Sequence, residues 1–226
     1  MEEKRPETYC AVIADVVQSR SLPDRLDFQR KLLALVESAD TLLPPGEVAS
    51  RFVVTAGDEF QGLHRTPAPA YDFLVALENA LKRGRFRMGV GFGGLATDLK
   101  PVCLGMDGPA FHRARAALQE CKDSGHTLTF RLGNPETDDL LTSYATLLER
   151  VRLSWTPRQW AQIKLVGAYG DQSSVARALG VSKAAVAKAL KSAGWRPYQK
   201  ARLDLARYLA NPDAPWAVGP DEEVGP

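Results

Sequence analysis

Two hydrophobic periods alternate along the first two thirds of the chain, and a single period takes over afterwards. Tyr9–Val17, YCAVIADVV, is a nearly unbroken β-branched apolar run, the pattern of a buried strand. Ser21-Leu22-Pro23-Asp24 reads as a turn and helix cap. Arg25–Ala39 then spaces Leu26, Leu32, Leu33 and Val36 for one helical face, with Phe28 beside it. Leu43-Pro44-Pro45-Gly46 ends that helix. Arg51–Thr55 returns to a strand pattern, and Ala56-Gly57-Asp58-Glu59 turns it back as a hairpin through Phe60–Leu63. Pro67–Leu81 reads as a helix and Phe86–Gly94, FRMGVGFGG, as a glycine-rich strand. Asp107-Gly108-Pro109 opens a helix reaching roughly Glu120, since Pro suits a first turn. Thr127–Leu132 is a further strand and Pro135–Val151 a helix. The order β-α-β-β-α-β-α-β predicts an α/β sandwich built on split β-α-β units.

After Trp155 every periodic segment is helical. The last sixteen residues, NPDAPWAVGPDEEVGP, are rich in Pro, Gly and acids, a composition that favours disorder. The expected organisation is an α/β domain over 1–151, a helical domain over 152–210 and a disordered tail over 211–226. Charge sharpens this division. Residues 1–150 carry 18 Lys and Arg against 21 Asp and Glu, residues 151–210 carry 11 against 2, and the tail has four acids and no base. A chain of net charge +2 therefore concentrates +9 in sixty residues, which points to a nucleic-acid partner for that segment. The 226 residues are 45% hydrophobic and 25% charged, ordinary for a globular protein with its own core. Cys10, Cys103 and Cys121 are odd in number and far apart, so neither a disulfide framework nor a zinc site is expected. The first residues are charged, unlike a secretion signal, and no apolar run is long enough for a membrane span. A cytoplasmic protein without a membrane partner is expected.

Within the basic segment, Gln172–Leu190 reads QSSVARALGVSKAAVAKAL. Two helices crossing at a tight turn need a small residue at the crossing, Gly at the turn and a branched apolar residue packing back from the second helix. Ala176, Gly180 and Val186 occupy those positions, with Val175 and Leu179 on the inner face of the first helix. Val181, Val186 and Leu190 do the same for the second. Thr156–Ala168 supplies a supporting helix with Trp160 and Ile163 inward. Ser182 would cap the second helix. Ser182, Lys183, Ala184, Ala187, Lys188 and Lys191 would face outward, toward double-stranded DNA.

The first domain offers carboxylates. Asp15 follows the apolar strand, and Asp58 and Glu59 sit at the hairpin tip. If the first strand pairs beside the hairpin, Asp15 and Asp58 share one sheet edge and could hold Mg²⁺ or Mn²⁺, which organise a triphosphate. An Asp in a turn can equally be only a turn former. Arg113 and Arg115 either grip a phosphate or line a solvated face. His112 reads as a structural residue ahead of a general base, and His64 and His126 as loop residues. Gly89, Gly91, Gly93 and Gly94 either let a ligand approach the backbone or mark bulges and close packing. Neither a P-loop nor a serine-hydrolase elbow is present.

Four stretches carry a resemblance: ADVVQSR at 14–20, TAGDEFQGL at 55–63, RMGVG at 87–91 and DGPAFHRAR at 107–115. On these the chain resembles the SatD family, whose members commonly end in a predicted helix-turn-helix. The frame of ADVVQSR, GDEF and R-x-G-V-G also resembles class III nucleotide cyclases and diguanylate cyclases. That likeness implies a ferredoxin-like, palm-type domain with Asp15 and Asp58 as metal carboxylates. Glu59 would be the acidic residue of the turn, and the backbone of Val16 and Val17 would lie near the phosphates. It also implies a homodimer. The sequence departs from the pattern in three ways. One Gly precedes Asp58 where diguanylate cyclases have two, His112 stands at an Asn position, and Arg115 is one residue early, about 100° around its helix. The expectation is a DNA-binding regulator whose first domain binds nucleotide and metal or mediates dimerisation. The alternative is a metal-dependent nucleotidyl transferase or cyclase acting on an NTP.

Overall fold

The computed structural model describes residues 7–17, 24–81 and 86–217. These divide into two compact units. One runs to Thr146 and resumes at Leu205, and the other is Leu147–Asp204. The divisions lie inside helices, a few residues from the expected boundaries at 151 and 210. The cap expected over Ser21–Asp24 falls mostly outside the described residues. Asp24 itself accepts a hydrogen bond from the Asp27 amide at 3.0 Å.

The first unit is built on a five-stranded sheet of order β2-β3-β1-β4-β5. The strands are β1 Tyr9–Val16, β2 Val48–Ala56, β3 Glu59–His64, β4 Phe86–Gly93 and β5 Leu128–Arg131. Neighbours are antiparallel except β4 and β5, which run parallel. Parallel strands need a crossover, and α3, Pro109–Ser124, supplies it. The other helices are α1 Arg25–Glu37, α2 Ala70–Ala80 and α4 Pro135–Leu153. The element order is the one the periodicity predicts, and β1 pairs directly with the hairpin strand β3. The outer edge of β2 is partly covered. The Arg51 amide donates to the Pro101 carbonyl at 3.1 Å, and the Cys103 amide donates to the Arg51 carbonyl at 3.0 Å.

One sheet face packs on α3. Tyr9, Ala11 and Ile13 of β1 and Leu63 of β3 meet Ala110, Phe111, Ala114 and Leu118 of the helix. Gly89 and Gly91 lie opposite Ile13 and Ala11 on this face. A Cβ on Gly89 would come under 3.0 Å from the Ala114 carbonyl oxygen and the Leu118 amide nitrogen. One on Gly91 would strike the Ala110 oxygen and Ala114 nitrogen as closely. The glycine run therefore marks close packing of a helix backbone on a strand. Gly94 has open space around it.

Residues alternate between faces along a strand, so Phe60 and His64 point away from α3. There Phe52, His64 and Phe73 form a ring cluster, with centroids 5.4 Å apart for Phe52–His64 and 5.6 Å for His64–Phe73. His64 is not a loop residue, as expected from sequence, but the last residue of β3 and fully buried. Neither ring nitrogen has a hydrogen-bond partner among the described residues. Burial without a partner disfavours the charged imidazolium and pushes its pKa down to about 3. On α1 the buried stripe is Leu32, Leu35 and Val36, whereas Leu26 is 70% and Leu33 48% exposed. The helix sequence offers two overlapping apolar stripes, and packing on the sheet selects the one containing Leu35.

Residues 211–217 are not a disordered tail as their composition suggests. Ala214 and Trp216 are buried, and the Trp216 ring stands edge-on to Phe92 at 5.0 Å. One indole anchors this segment against the sheet despite the Pro-rich composition around it. Residues 218–226 lie outside the described residues.

The second unit is helical, with α5 Pro157–Tyr169, α6 Gln172–Leu179, α7 Lys183–Ser192 and the first part of α8, Trp195–Leu209. Its centre is Trp155, whose ring meets Trp160 at 5.2 Å and Tyr198 at 4.8 Å. The Trp155 indole N–H donates to the Ala193 carbonyl at 2.7 Å, so the buried polar atom is satisfied. Arg152, fully buried, donates through Nε and Nη2 to both oxygens of Glu149, the bidentate geometry such burial demands. Thr156 and Gln159 form a reciprocal capping box at the start of α5.

Two measurements test this packing. Gly91→Ala is expected to cost about 3 kcal/mol or more, or to prevent folding, because backbone must move to admit one methyl. Gly94→Ala is expected to stay within roughly 0.5 kcal/mol of wild type. Denaturant unfolding of both variants checks the difference. For His64, the unfolded chain gains a proton as pH falls through 6.5 while the folded chain stays neutral down to about 3. Its contribution is whole above pH 6.5 and is lost on acidification at about 1.4 kcal/mol per pH unit. His64→Leu is expected to flatten the stability profile between pH 6 and pH 5 relative to wild type, measured by urea unfolding across about that window.

Candidate functional site

The carboxylates expected to share a sheet edge lie where β1 ends and β3 begins. Asp15 is opposite Arg87 of β4, and Ala14 is opposite Phe60, which brings Asp15 alongside Glu59. Gly57 in the left-handed region (φ 62°) makes the tight turn that starts β3 at Glu59. The half-buried Asp58 belongs to that turn. Val16 is buried and Val17 half-buried, closing β1.

Helix α3 covers this edge with cations. Lys122 Nζ lies 3.2 Å from Asp15 Oδ2, and Arg115 Nη1 lies 3.5 Å from Glu59 Oε1. The two cations are seven residues apart, two helical turns, so they project from one face. Asp15 Oδ1 is buried and has no hydrogen-bond partner among the described residues. No group of three or more His, Cys, Asp or Glu side chains poised to hold a metal ion occurs among the described residues. Lys122 is the member of this cluster that the sequence reading missed. Its signal was the seven-residue spacing from Arg115.

Arg113 does not join them. It turns to the other side of α3 and donates from Nη1 to the Phe92 carbonyl at 2.6 Å, with Gly133 close to its guanidinium. It ties the end of β4 to the loop after β5, and the two arginines of HRAR thus have separate roles. His112 Nε2 meets Asp107 Oδ1 at 2.9 Å on the surface, beside the start of α3. The loop after β5 is held by Asp138, which accepts from the Leu132 amide at 2.7 Å. Burial raises the Asp138 pKa against the pull of those backbone bonds.

In the second unit, Asp171 caps α6 by accepting from the amides of Ser173 and Ser174 at 2.8 and 2.9 Å. Helix α6 ends at Gly180, left-handed at φ 63°, and Ser182 caps α7 by accepting from the Ala185 amide at 3.1 Å. Val175, Ala176, Val186 and Leu190 are buried, as expected for the inner faces. Ile163 is buried and Trp160 partly so. Leu179 departs from expectation and is exposed, because it stands at the last position of α6, where the chain turns away. Ser182, Lys183, Ala184, Ala187, Lys188 and Lys191 are all exposed. No helix among the described residues is long and apolar enough to cross a membrane.

A search of curated proteins returned no match. Among solved structures, a similar chain is a microbial GGDEF domain, described for a novel interaction mode with bis-(3′,5′)-cyclic di-GMP. The likeness is distant, with 22% identity over 55% of this chain and 79% of that one, and a TM-score of 0.38. The model of the SatD family matches residues 9–209, from the first strand of the sheet to the last residue of α8. The chain belongs to the SatD family.

Proposed function

We propose that this protein is a DNA-binding regulator in which α6 and α7 form a helix-turn-helix and α7 enters the major groove of double-stranded DNA. The observation that carries the reading is the division of α7. Val186 and Leu190 are buried toward α6, while Ser182, Lys183, Ala184, Ala187, Lys188 and Lys191 are exposed together. A helix held by its inner face across a left-handed Gly180 presents a short outer face carrying three lysines. Lysines pair with phosphates, and Ser182 can add a hydroxyl contact. The small Ala184 and Ala187 allow close approach to the groove and supply no polar base readout. Recognition by this face is therefore dominated by phosphate contacts. In this reading the protein acts as a homodimer on two half-sites. The first unit serves as the dimerisation scaffold or as a sensor that binds a nucleotide.

The second reading is a metal-dependent nucleotidyl transferase or cyclase using Mg²⁺ or Mn²⁺. It is favoured by the buried, unpartnered Oδ1 of Asp15 beside Glu59. It requires Lys122 to release Asp15 and Arg115 to release Glu59.

The DNA reading is tested by a mobility shift on duplex DNA over a range of salt. The triple variant Lys183→Ala, Lys188→Ala, Lys191→Ala is expected to bind more weakly, with a log–log salt slope shallower by about 3. Equal affinity and slope would remove α7 as the binding face. The enzymatic reading is tested by product formation from each NTP with Mg²⁺ or Mn²⁺. Turnover unchanged in Asp15→Asn and Asp58→Asn would exclude both carboxylates from the chemistry.

A further inference from the structure

The carboxylate edge of the first unit resembles a place for a divalent ion, yet its partners are already side-chain cations. A resident Mg²⁺ or Mn²⁺ collects about six oxygen ligands. Here Asp15 gives one oxygen to the Lys122 ammonium at 3.2 Å, and Glu59 faces the Arg115 guanidinium at 3.5 Å. Arg87 occupies the β4 position opposite Asp15, adding a third positive residue at this end of the sheet. The Asp15 side chain is only 14% exposed and that of Lys122 35%, so this pair is shielded more than an ordinary surface bridge. The ammonium is not brought there by chance of rotamer alone. The height of helix α3 over the sheet is set by its backbone resting on Gly89 and Gly91. A divalent ion at Asp15 would meet like charge from the same helix that forms the core.

We infer that Lys122 is the resident counter-cation of Asp15, and that the first unit closes its carboxylate edge with α3 cations and not with a divalent metal. The residues as arranged do not fit a resident Mg²⁺ or Mn²⁺. Asp15 is then a cation seat filled from within the chain. Its job is to hold the end of β1 against the last turns of α3. This inference concerns the first unit alone and does not depend on DNA binding by α7.

The test is Mn²⁺ binding to the full chain, read from loss of the free-ion electron paramagnetic resonance signal, without nucleotide. Wild type is expected to bind Mn²⁺ no more tightly than Asp15→Asn. Lys122→Met, which keeps the aliphatic stem and removes the charge, is expected to bind at least about tenfold more tightly than wild type. Adding Asp15→Asn to Lys122→Met should abolish that gain. Wild-type binding that is lost in Asp15→Asn would overturn the inference. So would a Lys122→Met protein that folds, by circular dichroism, yet gains no affinity. Should Lys122→Met fail to fold, the comparison of wild type with Asp15→Asn still decides whether Asp15 is a metal ligand in the native chain.

Discussion

The contact between α3 and the Gly89–Gly91 stretch of β4 is the constraint on which the rest of the first unit depends. Two missing side chains let a helix backbone lie on a strand, and this sets the height and rotation of α3 over the sheet. With that rotation set, Ala110, Phe111, Ala114 and Leu118 complete the core with Tyr9, Ala11 and Ile13. Arg115 and Lys122 are then carried to Glu59 and Asp15, while Arg113 is carried to the carbonyl of Phe92. One packing event thus sorts three cations of a single helix into two roles. The same helix is the crossover between β4 and β5, so the parallel edge of the sheet depends on it as well.

Each unit buries polar groups. The first places His64 among Phe52 and Phe73 with neither nitrogen bonded among the described residues, and accepts a histidine that must stay neutral. The second pairs two of its buried polar groups. Trp155 donates to Ala193, and Arg152 grips both oxygens of Glu149. A small helical unit has little apolar volume, so its centre is a cluster of Trp155, Trp160, Trp195 and Tyr198. Trp155 of that cluster is tied to Ala193 at the end of α7, and the lysines of α7 stay exposed.

Much of the candidate chemistry was legible in the chain. The spacing of Ala176, Gly180 and Val186 foretold which residues of α6 and α7 turn inward, because helix period and turn requirements are local. Leu179 escaped that logic only because it ends its helix. His64 was legible too, had alternation been followed from Phe60 through Gly62. Lys122 was harder. Nothing near it in sequence names Asp15 as its partner, since the two are brought together by α3 crossing the sheet.

By itself the sequence determined the element order, the hairpin turn at Gly57, the tight turn at Gly180 and the concentration of positive charge after residue 150. Each of these follows from short-range sterics, side-chain periodicity or composition. The tertiary structure alone decided which stripe of α1 faces the core, why β4 is rich in glycine and that Trp216 anchors residues 211–217. It also decided which cations stand before Asp15 and Glu59. Those outcomes depend on contacts between residues far apart in the chain, and a period of 2 or 3.6 carries no information about what lies across the gap.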